Sequence, residues 1–204
     1  MKKPKSILPQ NDVSLELISL VEARLHLRLD ASGSPLTHPD DSLVEALITA
    51  VREDAENYMG TAVAQQTYSA AYDGFNDEVL ELGIWPVTGI ASVVYKDRDG
   101  IEQTLSSSEY ILDNYQKPAR LVPTETWPET DSVPNSVIVT FSAGHTDGDS
   151  PNPYPLPKAI RAAMLLMLGH LYENREAVTY GSQVVTLPLG AIHLMTPYRI
   201  KMGM

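Results

Sequence analysis

Grouped oxygen ligands mark the one short stretch of this sequence with cation chemistry in it. In HTDGD, His145, Asp147 and Asp149 alternate with turn-forming residues, and hard divalent ions favour clustered carboxylates. A metal-dependent hydrolase built on these three residues is therefore one reading. The surrounding Gly and Pro describe a turn equally well, and the full calcium-loop pattern is absent. Asp97 to Gly100, DRDG, is acidic too, but it separates two β-rich segments and reads as a hairpin turn. His26, His38, His145, His170 and His193 are scattered without ligand spacing, as surface or partly packed histidines are. No nucleophile elbow, P-loop, dinucleotide fingerprint or His-Glu-x-x-His helix occurs. The chain has no cysteine, which excludes disulfides, thiolate zinc sites, iron-sulfur clusters and cysteine nucleophiles. No catalytic residue, metal ligand or cofactor is assigned, and the expectation is a protein that is not an enzyme.

Charge narrows the partners. Fifteen basic against 26 acidic residues, net −11, argue against sequence-reading of nucleic acid, whose affinity comes largely from cations on phosphates. Residues 1–60 carry 6 basic and 10 acidic side chains, residues 61–156 carry 4 and 14, and residues 157–204 carry 5 and 2. This describes either a solvated acidic surface with cations near helix ends or electrostatic matching between copies. The start MKKPK leads into SILPQND instead of an apolar run, so no signal peptide is expected and a cytoplasmic origin is the default. The longest apolar stretch, Ala162 to Gly169, falls far short of the roughly 20 residues of a membrane helix.

The elements that would position these residues follow from pattern. Ser19 and Glu22 have capping-box spacing ahead of a short helix over residues 20–28, with Leu20, Ala23 and Leu27 on one face. Asp30 to Asp40 is dense in turn formers. A second helix of about 20 residues runs to Gly60, with Leu43, Val44, Leu47, Ile48, Val51, Ala55 and Tyr58 at helical spacing. From Gln66 to Ala143 the pattern becomes β-rich: QTYSAAY, EVLEL, ASVVYKD, IEQTL, YILD and SVIVTFSAG, divided by turns. A turn-rich loop from His145 to Pro157 returns the chain to a third helix, with Pro157 at its first position and its end near Arg175. TYGSQVVTLPLG is extended or looped, and AIHLMTPYR forms a brief helix broken by Pro197. The expected fold class is α+β, a small helical bundle formed by N- and C-terminal segments with an inserted antiparallel β-rich subdomain. One domain spans 1–204: helical over 14–60 and 157–200, β-rich over 61–143, with a loop at 144–156. The chain ends pack together and the β region projects from them.

Between Ala159 and Tyr172 only Arg161 and His170 interrupt apolar or small residues. A helix greasy around most of its circumference must be covered on several sides, either by its own core or by another copy of the protein. It exits in Tyr172, Glu173, Asn174, Arg175 and Glu176. A cation there suits the exposed carbonyls and the acids pair with it, yet many polar sequences would serve as well.

LISLVEARLHLRLD near the start, DDSLVEALITAVREDAENYMG in the second helix, GHLYENREAV after the third, and LPLG followed by PYR together resemble the tailed-phage head-tail connector (adaptor, or head-completion) family. The resemblance covers nearly the whole chain in order. It implies a structural virion protein with a helical bundle and β-rich insertion, assembled as a dodecameric ring beneath the portal protein. It also implies a stretch of the DNA exit channel, passing double-stranded DNA without sequence-specific binding, and a docking surface for a stopper or tail protein. Its place would be the virion head-tail junction, and the host cytoplasm during assembly, with no membrane partner. Another ring-forming neck or tail-completion (stopper) protein is the alternative at the same junction. The motif positions carried over as assembly candidates are Tyr172, Glu173, Asn174, Arg175, Glu176, Leu187, Pro188, Gly190, Pro197, Tyr198 and Arg199. Local packing of the helix exit and tail is their other reading. The resemblance gives no role to Asp147 or Asp149.

Overall fold

The computed structural model describes residues 1–33, 36–75, 79–146, 154–174 and 189–200. The chain divides into two compact units. One comprises Met1–Leu15, Ala64–Thr146 and Ser150–Tyr154; the other comprises Glu16–Val63, Asp147–Asp149 and Pro155–Met204. Helices from both ends of the chain build the second unit and antiparallel sheets the first, which is the α+β arrangement expected from the sequence.

In the helical unit, α1 (Leu20–Leu27) starts at Ser19, whose hydroxyl accepts the Glu22 N–H at 3.1 Å, and stops at Arg28 in the left-handed region at φ 58°. α2 (Asp41–Met59) ends at Gly60, φ 69°, whose N–H reaches the Glu56 carbonyl. Val44, Ile48, Val51, Ala55 and Met59 are buried at spacings of three and four; the first four belong to the stripe read from the sequence, whose Leu43, Leu47 and Tyr58 are half-buried at its margin, and Met59 was not read. Arg52 is buried on the same face, which the apolar pattern did not indicate. Its Nε donates to Glu16 at 3.1 Å and its Nη1 to Glu56 at 2.7 Å. Burial works against its charge, but Glu56 and Glu16 outweigh that and raise its pKa.

α3 (Lys158–Glu173) begins one residue later than expected, with Pro157 in the cap position, and Asn174 caps its end. Ile160, Ala163, Met164, Met167 and Leu168 are buried along one side of this greasy helix, which packs on α1 and α2. α4 (Leu189–Met195) starts ahead of the expected AIHLM and yields at Pro197 to a 3-10 turn, Thr196–Tyr198. Among the described residues, no helix is long and apolar enough to cross a membrane.

The β unit has a five-stranded sheet, ordered β1-β2-β8-β4-β5, and a three-stranded sheet, β3-β7-β6. Its strands are β1 (Ser6–Pro9), β2 (Gln66–Tyr72), β3 (Leu80–Glu81), β4 (Val87–Lys96), β5 (Glu102–Thr104), β6 (Tyr110–Asp113), β7 (Arg120–Pro123) and β8 (Val137–Ala143). Two were not read from the sequence. β7 is a short RLVP segment without alternation, and β1 lies in SILP, where Pro9 is tolerated because an edge strand has a neighbour on one side only. The N-terminal residues also reach the second sheet: Lys2 donates to Val79 O and accepts from Glu81 N, each at 2.9 Å. β8 alternates buried Val137, Val139, Phe141 and Ala143 with more exposed neighbours, the signature of a sheet with one face in the core. Phe75 stacks on Trp127 with ring centroids 4.6 Å apart, and buried Tyr72 donates to the Glu81 carbonyl at 2.7 Å. DRDG is the expected hairpin turn, with Asp97 Oδ1 accepting from the N–H groups of Asp99 and Ile101 at 3.0 and 2.9 Å.

Candidate functional site

The polar cluster at the end of α3 has internal work to do. The Tyr172 hydroxyl donates to Asp40 Oδ2 at 2.5 Å, linking the last turn of α3 to the residue that opens α2. Next to it, Asp41 takes both Arg24 Nη2 and Arg24 Nε, the latter at 2.7 Å, and accepts the His38 N–H at 2.8 Å. This bidentate guanidinium, followed by the His38 N–H, lowers the Asp41 pKa. Arg24 Nη1 also donates to Leu36 O at 3.2 Å, so one side chain of α1 holds the loop and the start of α2 together. Further along, Arg161 of α3 pairs with Glu22 of α1 at 2.6 Å. The His26 ring lies so close to Gly169 that a side-chain carbon there would come within 3.4 Å of its Nε2.

The other carried-over positions divide into three groups. Asn174 folds back on its own helix, its Nδ2 donating to His170 O at 2.9 Å, while Glu173 is exposed. The PYR segment clasps the opposite end of α2: Arg199 lies over the Tyr58 ring at 5.4 Å, Tyr58 and Thr196 share a hydrogen bond of 3.0 Å, and Ile200 N donates to Met59 O at 2.8 Å. Pro197 sets the preceding 3-10 turn, Tyr198 is half-buried within it, and Gly190 is exposed in α4. Arg175, Glu176, Leu187 and Pro188 lie outside the described residues. Tyr172 and PYR thus fasten the two ends of one helix, α2.

Sequence reasoning did not find the Asp40, Asp41, Arg24 and His38 side of this joint. Its signal is the double acid at the start of α2 directly after a loop, where acids meet the positive end of a helix. The partner of each was not readable, because Tyr172 and Asp40 are 132 residues apart.

His145 is buried, with Nδ1 3.2 Å from Tyr154 O and its ring edge-on to Trp85 at 5.7 Å. Asp147 and Asp149 lie outside the described residues. Among the described residues, no group of three or more His, Asp or Glu side chains is arranged to hold a metal ion. An open groove of about 500 Å³ beside Trp127 is polar, and the Arg98 at its rim pairs with Glu129 at 2.5 Å.

No family model matches the chain. Comparison with curated proteins gives no match. Solved structures do match in fold. The chain is similar to one in the neck of an empty GTA particle computed with C6 symmetry, at a TM-score of 0.78 and 20% identity, over 98% of this chain and 97% of that one. A chain in the virion of a native gene transfer agent (GTA) particle gives 0.75 and 20%, over 97% of each. One in the neck of a native GTA particle computed with C12 symmetry gives 0.70 and 19%, over 98% and 97%. The likeness runs through both units, so this chain shares its whole fold with chains found in particle necks.

Proposed function

We propose that the protein is a structural virion subunit that forms a ring at the portal exit, joins the DNA-filled head to the tail or the next connector, and lines part of the DNA channel. The carrying observation is the match of fold, at a TM-score of 0.78 over 98% of the chain, to a chain from a particle neck. The neck of the native GTA particle was computed with C12 symmetry, which supports a ring of twelve copies. Its 204 residues act as one connector domain, with the portal protein on one side and a stopper or tail protein on the other. The action is geometric and no reaction is catalysed. Net charge −11 suits a channel wall, because a surface that does not neutralise phosphates lets a duplex slide.

The test is reconstitution. Purified protein mixed with its cognate portal ring should yield a complex with about twelve added copies, countable by electron microscopy and native mass measurement. No complex at any salt concentration would overturn the reading. Rings that assemble only on an existing adaptor, and never on portal, would assign the chain to the stopper position instead.

A further inference from the structure

α1 has its polar pattern turned inside out. Arg24 faces inward and is neutralised by Asp41, while Val21 and Leu25, one turn apart, stand 62% and 76% exposed. A lone surface leucine is ordinary, but an eight-residue helix that buries its arginine and shows water a Val/Leu pair is built to be covered on that side. The same unit has a second apolar place. Leu189 at the start of α4 is 78% exposed and Leu166 of α3 is 42% exposed, with Leu166 Cδ1 4.0 Å from where a Gly190 side chain would begin.

The two patches are distinct. Glu22 and His26 set the side of α1 that meets α3, and Val21 and Leu25 project about a quarter-turn or more away from it. Leu166 belongs to the side of α3 that meets α4. Charge differs between them as well. Glu16–Val63, which carries the α1 patch, has 9 acidic and 3 basic residues, whereas Pro155–Met204, which carries the α3–α4 patch, has 5 basic and 2 acidic.

We propose that these patches are the two halves of the contact between neighbouring copies: Val21 and Leu25 of one copy seat against Leu166 and Leu189 of the next. The assignment rests on the ring reading above. Ring closure requires a head-to-tail contact, with two different surfaces on every copy. An apolar contact between chain segments of opposite net charge supplies adhesion and direction together. Pairing the α1 patch with itself would set acidic segment against acidic segment, which favours the head-to-tail arrangement.

Wild type, Leu25→Glu and Leu189→Glu are each added to portal rings, and the two variants are also mixed with each other without portal. Both side chains are exposed, so circular dichroism and the melting temperature should match wild type. Each variant alone should lose ring formation at least tenfold, a change of about 1.4 kcal/mol or more. The mixture should form pairs at concentrations where neither variant self-associates, since Leu189→Glu keeps the α1 patch and Leu25→Glu keeps the α3–α4 patch. Wild-type rings together with full assembly by both variants, or a mixture that gives no pairs, would overturn this contact and leave the ring reading standing. Absence of wild-type rings would overturn the ring reading, and this contact with it.

Discussion

Tyr172 shows how a motif residue earns its place by holding elements rather than by chemistry. Its hydroxyl meets the Asp40 carboxylate at 2.5 Å in a part-buried setting, where hydrogen bonds to an ionised group are stronger than between neutral groups. Tyr172→Phe keeps the ring and deletes only that donor. Stability should fall by about 1–2 kcal/mol, measured as a lower denaturant midpoint with an unchanged slope. An unaltered midpoint would return Tyr172 to simple ring packing. The sequence made Tyr172 conspicuous without disclosing its partner, because a hydrogen bond spanning 132 residues leaves no periodic trace.

At the scale of elements, α2 is the strut of the helical unit, and Arg52 is where it is tied. Glu16, ahead of α1, accepts from Arg52 and from Thr49 at 3.1 Å. Glu56 accepts from Arg52 and, through its other oxygen, from the Val63 N–H at 2.8 Å. Arg52→Ala strands two carboxylates and should cost about 3–5 kcal/mol, whereas Arg52→Met, which fills the volume, should cost less than Arg52→Ala. Equilibrium unfolding of both variants checks the order, and equal losses would show that the filled volume contributes nothing and that the stranded carboxylates carry the whole effect. α2 was legible from its apolar stripe, and α3 from a nearly unbroken apolar run opened by Pro157. α1 was located by its cap, and of the face read for it Ala23 is buried with Leu20 and Leu27 half-buried; burial of Arg24 was not legible, since it depends on Asp41 from another element. β1 and β7 were missed because neither alternates; long-range pairing makes each of them a strand.

For the whole molecule, acid is the natural stress. Asp41 is held below the ordinary carboxylate range by Arg24, Asp73 by the Asn135 N–H, Asp97 by Gln103 and Asp113 by Arg120. A carboxyl whose folded pKa is depressed favours the folded state above its unfolded pKa, and that contribution disappears as pH falls through the folded value. These groups occur in both units, so the denaturant midpoint should fall steeply below pH of about 4. A midpoint constant between about pH 5 and pH 3 would contradict that linkage. Charge also reads differently once folded: the β unit carries 7 basic and 13 acidic residues and the helical unit 8 and 13. The contrast along the chain therefore does not separate the units. It lies within the helical one, between its N-terminal and C-terminal contributions.

The sequence by itself determined the outline of the fold: α2 from helical periodicity, α3 from an apolar run opened by a proline, most of the sheet from alternation and turns, and the absence of cysteine chemistry from composition. These are local properties, set by how one residue and its near neighbours meet water and backbone. Only the tertiary structure decided that Tyr172 bonds Asp40, that the PYR segment clasps the far end of α2, that SILP becomes a strand, and that α1 turns its arginine inward and its leucine outward. Each of those depends on a partner supplied by a distant part of the chain, and a side chain's best environment is known only when that partner is in place.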